Sequence, residues 1–125
     1  MTSTITAADR RVTETPNGVM TTLASPTLGG SAASLWLVEM HPGAQGPEHA
    51  FDGEVLWAVT RGRVALTVAG VTTDLVAGDT AVLPAGVMRQ LTAGPDGFTA
   101  VVTGPGGASV TRPDGQPGEV PPWVA

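Results

Sequence analysis

This chain contains only two histidines, His41 and His49. Their ordinary pKa of about 6.5 makes either imidazole a candidate for moving a proton near neutral pH. His49 stands in the run His49-Ala50-Phe51-Asp52-Gly53-Glu54-Val55. His41 directly precedes Pro42-Gly43, a turn signal, which places it at a pocket rim or in solvent as a strand-end residue. The complement to an imidazole is a fixed charge. All six basic residues are Arg and none is Lys, and a guanidinium does not shed its proton, so a buried one needs an anionic or hydrogen-bonding partner. The absence of Cys removes a thiol nucleophile, thiolate metal sites and disulfides together. Asp74, Asp79 and Asp96 fall in or beside turn signals and need no function.

The composition sets the frame for these groups. At 125 residues the chain is long enough for one core and too short for two. Aromatics are only 4% of it, so the core is expected from Val, Leu and Ala. With 17 Gly and 11 Pro breaking up short apolar runs, the pattern is that of an all-β protein with many tight turns. A net charge of −5 without a basic cluster argues against nucleic acid or an anionic membrane as partner. No window approaches the roughly 20 apolar residues that cross a bilayer, and Met1–Arg11 lacks the apolar stretch of a signal peptide. A cytoplasmic protein is expected. The Arg-only basic set, with Ala, Gly, Val, Thr and Pro abundant, is compatible with a GC-rich bacterial genome.

The elements that must position the site follow from alternation and turn residues. Residues 1–10 read as a flexible arm, 11–103 as the folded body, and 104–125 as a Gly/Pro-rich tail without regular structure. Two short edge strands flank Pro16-Asn17-Gly18, and Ala33 to His41 reads as a strong strand. Val55–Thr60 is an apolar run turned by Arg61-Gly62. Val64, Leu66 and Val68 alternate with polar or small residues as in a half-buried strand. Ala69-Gly70 connects a hairpin to Val71–Val76. Further strands are expected at Thr80–Leu83, Val87–Leu91 and Phe98–Val102, the last two separated by a turn at Gly94-Pro95-Asp96-Gly97. Short strands at this spacing indicate a barrel or sandwich with little or no helix. Trp123, near the end of the tail, is expected to dock on the barrel or on a partner subunit.

Two motifs resemble those of the cupin family. The first is Pro42-Gly43, five residues, His49 to Val55, six residues, Gly62; the second is Gly78-Asp79, Pro84-Ala85-Gly86 and Val87-Met88-Arg89. The resemblance covers about Ser34 to Val102 and rests on Gly43, Gly62, Gly78, Pro84 and Gly86, sites where a tightly bent backbone needs Gly or Pro. It implies a double-stranded β-helix, or jelly-roll barrel, with the active site in its mouth and a habit of homodimerisation. In that family three histidines and a glutamate present one divalent metal. At the matching positions this chain has His49, Phe51, Val55 and Arg89.

Strand parity extends this reading, because residues of equal parity share a face. If the resemblance sets His49 inward, Phe51, Val55 and Trp57 point inward with it, and Glu54 points out unless a bulge shifts it. Val87 and Leu91 share the inward side of Arg89. The implied interior is one imidazole and one guanidinium in an apolar lining, which suits a small organic ligand better than a metal. His49 would move a proton and Arg89 would hold a carboxylate, enolate or phenolate, or else pair internally with Glu39 or Glu54. Phe51, Val55, Trp57, Val87, Leu91 and His41 are the candidate substrate-binding residues.

The favoured expectation is a metal-independent enzyme of isomerase, cyclase, dehydratase or lyase type, with no cofactor, acting on a largely apolar substrate, in the manner of bacterial secondary metabolism. One alternative is a binding or sensor module that leaves its ligand unchanged. Another is a metal-dependent oxygenase or isomerase using His41, His49 and a bulged Glu54, against which the fixed charge of Arg89 counts.

Overall fold

The structure is a computed structural model that describes residues 2–116 and 118–125. Its strands are β1 (Arg11–Thr15), β2 (Gly18–Ala24), β3 (Ala33–Met40), β4 (Ala50–Phe51), β5 (Val55–Val68), β6 (Val71–Val76), β7 (Thr80–Leu83), β8 (Gln90–Pro105) and β9 (Val110–Thr111). The sole helical element among the described residues is a single 3-10 turn, Ala7–Asp9, in which the Thr6 hydroxyl donates to the Asp9 carboxylate at 2.8 Å. Among the described residues no helix is long and apolar enough to cross a membrane. All ladders are antiparallel, and the main sheet runs β1-β2-β3-β8-β5-β6, with β7 also pairing with β5.

The barrel is organised by two long bent strands, and here the structure departs from the sequence expectation. Arg61-Gly62 does not end a strand, and Gly94-Pro95-Asp96-Gly97 is not a turn between strands; β5 and β8 run through both. Register shifts between Val59 and Arg61 and between Gly62 and Val64 bend the pair, so each strand serves two parts of the barrel wall. Glycine is required at the bend. Gly62 has φ 78°, and a Cβ there would lie 2.2 Å from the carbonyl oxygen of Gly97.

The bend also reverses the inward parity. Val55, Trp57 and Val59 are buried before it on β5, and Val64 and Leu66 after it. On β8 the buried set changes from Leu91 and Ala93 to Phe98, Ala100 and Val102. With Trp36, Val38 and Met40 of β3 these residues form one core. The fold is the jelly-roll barrel that the motif glycines and prolines imply.

The tail is more ordered than its composition indicates. Val110–Thr111 forms β9 and pairs with Ala50–Phe51 of β4. The Asp52 carboxylate accepts from both the Ser109 amide, at 3.0 Å, and the Ser109 hydroxyl, at 2.8 Å. Residues 121–125 dock on the first strands. Trp123 packs partly against the core, and the deeper anchor is Val124, which is fully buried. Thr22, Ser34 and Ser25 hydroxyls donate to the main-chain oxygens of Trp123, Val124 and Ala125, and Arg11 donates to the same Ala125 oxygen at 2.8 Å. These hydroxyls explain how three buried polar residues, Thr22, Ser25 and Ser34, are accommodated.

Candidate functional site

His49 and Arg89 are cross-strand neighbours. The His49 amide donates to the Arg89 carbonyl at 3.0 Å, and the Arg89 amide donates to the His49 carbonyl at 2.8 Å. A pair that exchanges both bonds puts its two side chains on one face of the sheet. Phe51, two residues on from His49, shares that face. Its ring meets the imidazole edge-on, with centroids 5.6 Å apart, and the guanidinium carbon of Arg89 lies over it at 4.8 Å. Turn chemistry locks the arrangement, because the Gly86 amide, in the Pro84-Ala85-Gly86 turn, donates to the Phe51 carbonyl at 2.8 Å. Gly86 has φ 78°, which only glycine adopts without strain.

Arg89 is wholly buried and has no acidic partner. Among the described residues the sole ion pair is Arg112 with Glu119, both exposed. Glu39 and Glu54 are exposed, so the internal pairing weighed for Arg89 is not formed. Among the described residues, one long bond, from Nη1 to the Val87 carbonyl at 3.4 Å, is its only protein hydrogen bond, and Nε and Nη2 have none. Burial pulls its pKa down to about 10, which leaves it charged at neutral pH. The aromatic face of Phe51 offers partial compensation.

His49 has a defined tautomer when neutral. Its Nδ1 lies 2.8 Å from the Pro47 carbonyl oxygen, which can only accept, so Nδ1 carries the proton and Nε2 is left as the base. Burial is the main cause that lowers its pKa, the Pro47 bond opposes it, and the positive charge of Arg89 adds to the lowering. A neutral imidazole beside a permanent cation is the result.

Of the other expected residues, Val55, Trp57 and Leu91 are buried in the same core, and Val87 is half-buried beside the guanidinium through its carbonyl. Trp57 packs on Phe98, with ring centroids 6.2 Å apart, and its buried Nε1 has no partner, a donor that sequence reading treated as apolar surface. His41 is a correction. It is exposed at the end of β3, where its amide donates to the Asn17 carbonyl at 2.9 Å, and it is not part of the site. An open surface depression of about 580 Å³ also went unforeseen; it lies between the β5–β6 hairpin (Thr67–Gly70) and the residues flanking Arg89, Val87, Met88 and Gln90.

The residues do not fit a metal. Phe51, Val55 and Arg89 supply no metal-binding atom at the positions that the motifs assign to ligands. No group of three His, Cys, Asp or Glu side chains among the described residues is placed to hold an ion. His41 and Glu54, the residues that would complete an atypical set, both face solvent. His49 offers one nitrogen, next to a cation that repels a second positive charge.

Comparison with known proteins agrees with this architecture. Residues 36–103 match the family model described as Cupin domain, and the chain therefore belongs to the cupin family. No curated protein sequence matches it. Among solved structures it resembles an RmlC-like cupin from Shewanella frigidimarina, with a TM-score of 0.70 and 19% identity over 84% of this chain and 94% of that one. KdgF from Halomonas sp. is similar at TM-score 0.69 and 19% identity, again over 84% and 94% of the two chains. A variant of oxalate decarboxylase from Bacillus subtilis superposes at TM-score 0.72 with 14% identity. There the match covers 78% of this chain but only 28% of the decarboxylase. At these identities the likeness is one of fold.

Proposed function

We propose that this cupin binds a small, largely apolar organic anion without a metal and moves a proton on it. The observation that carries the reading is the buried Arg89 guanidinium, whose Nε and Nη2 have no protein partner and which faces the same side as a neutral imidazole. In this reading the anionic oxygen rests on Arg89. His49 Nε2 takes a proton from the bound molecule, and the electron pair left behind is stabilised by the guanidinium. Return of the proton to another atom gives isomerisation or cyclisation; its delivery to a departing group gives dehydration or lyase chemistry. Phe51 fixes the plane of the guanidinium, and Val55, Trp57, Val87 and Leu91 shape the apolar surroundings.

The test separates binding from turnover. His49→Gln is expected to keep binding and lose turnover, whereas Arg89→Met is expected to lose binding. Full turnover in both variants would refute the reading. A second reading, a binding module that leaves its ligand unchanged, is supported by the unpaired donors of Arg89, which can hold an anion without help from His49. A ligand recovered unaltered after long incubation would select it.

The same proposal places the chain in the bacterial cytoplasm as a homodimer. Supporting the dimer, edge strand β1 exposes 61% of Val12, and Val71 on β6 is 68% exposed. A monomer by light scattering at micromolar concentration would contradict it.

A further inference from the structure

The open hydrogen-bonding positions of Arg89 define the shape of the anion. A guanidinium has five N–H bonds in one plane, and its faces and edges are chemically distinct. Here one face lies over the Phe51 ring at 4.8 Å. Nη1 is turned to the Val87 carbonyl at 3.4 Å. The two nitrogens without a partner, Nε and Nη2, are those whose N–H bonds run parallel along one edge of the fork. Both are buried, so the edge is closed off from bulk water.

We infer that the ligand of this site is a carboxylate, bound side-on through both oxygens to Nε and Nη2 of Arg89. This rests on the proposed anion-binding role and narrows it. An enolate or phenolate offers one oxygen, which two parallel N–H bonds can share only in a bent, weaker geometry. A carboxylate offers two oxygens in a plane, matched to two parallel donors, and the resulting pair is stronger and directionally fixed. Phe51 blocks approach from one face, so the carboxylate lies in the guanidinium plane. His49, on the adjoining strand and the same sheet face, then has its Nε2 available to the part of the molecule next to the carboxylate.

The experiment reads the Arg89 Nε–H and the His49 ring by NMR on the full chain, with acetate and benzoate as carboxylates, nitrophenolate as a one-oxygen anion, and chloride. At least one carboxylate is expected to move the Arg89 Nε–H resonance downfield and to bind about tenfold or more tightly than nitrophenolate or chloride. In Arg89→Lys, which keeps the charge and loses the fork, carboxylate affinity is expected to fall about tenfold or more. Arg89→Met provides the uncharged background. Equal binding of nitrophenolate or chloride, or full carboxylate affinity in Arg89→Lys, would overturn the carboxylate assignment and leave the anion-binding reading standing. If none of these anions perturbs either reporter, both fall together.

Discussion

His49 and Arg89 exchange backbone hydrogen bonds of 3.0 and 2.8 Å, and this bridge sets the imidazole and the guanidinium on a common face. The relationship is a property of the backbone, so either side chain can be changed without moving the other's Cα. The chemistry can therefore be taken apart one group at a time.

The first consequence concerns stability. A buried charge without a partner is a cost to the folded state, and Arg89 is wholly buried without one. Arg89→Met, similar in volume and apolar, is expected to raise unfolding stability by about 2 kcal/mol in chemical denaturation. A loss of that size would show that the guanidinium is held by contacts internal to the fold and is not kept for a ligand.

The second concerns pH. The folded pKa of His49 lies below the usual value, chiefly through burial, whereas in the unfolded chain it returns to about 6.5. Above that pH both states are neutral at this residue and it has no effect. As the pH falls below about 6.5 the unfolded chain takes up a proton first, so stability declines until the folded pKa is reached. His49→Gln is expected to flatten this part of the profile. In Arg89→Met the NMR titration midpoint of His49 should rise, because a repelling charge is gone. An unmoved midpoint would show that the two groups do not interact.

The third concerns the tail. Val124 is fully buried, and its carbonyl accepts from the Ser34 hydroxyl at 2.5 Å. Val124→Ala is expected to cost about 2 kcal/mol of stability. Arg112→Ala, which removes an exposed ion pair, should leave the denaturation midpoint unchanged. If Val124→Ala were equally silent, the docking of residues 121–125 would not contribute to the fold.

The fourth concerns the bend. Gly62 and Gly70 have nearly equal φ values, 78° and 77°, but a Cβ meets the Gly97 carbonyl at the first and nothing within 4 Å at the second. Gly70→Ala is expected to cost about 1 kcal/mol for its left-handed backbone. Gly62→Ala adds a backbone clash and should cost about 3 kcal/mol. Equal melting temperatures for the two variants would contradict the bend as described.

The sequence made the turns legible because Gly and Pro mark them directly. Pro84-Ala85-Gly86 and Ala69-Gly70 lie where their residue types place them. Gly62 was misread because a positive φ suits a bulge as well as a turn, and only the partner strand distinguishes the two. Phe51, Val55 and Trp57 are all buried, but only Val55 and Trp57 share an unbroken stretch of strand; Phe51 lies on β4, and residues 52–54 separate it from β5. Parity could not be carried past Thr60, because one inserted residue reverses every face beyond it. The tail was harder. The grip on residues 123–125 comes from Thr22, Ser25 and Ser34, about a hundred positions away, and no local pattern records such contacts. At the site, the cupin resemblance implied a guanidinium facing an imidazole. That Glu39 and Glu54 turn away from it, and that His41 stays outside, depends on the barrel having closed.

The most direct test is a crystal structure of the chain grown with benzoate or acetate. The account predicts both carboxylate oxygens opposite Nε and Nη2 of Arg89, with the guanidinium still over Phe51 and no ion on His49. A metal coordinated by His49, or an Arg89 side chain turned out to solvent with the carboxylate elsewhere, would contradict it.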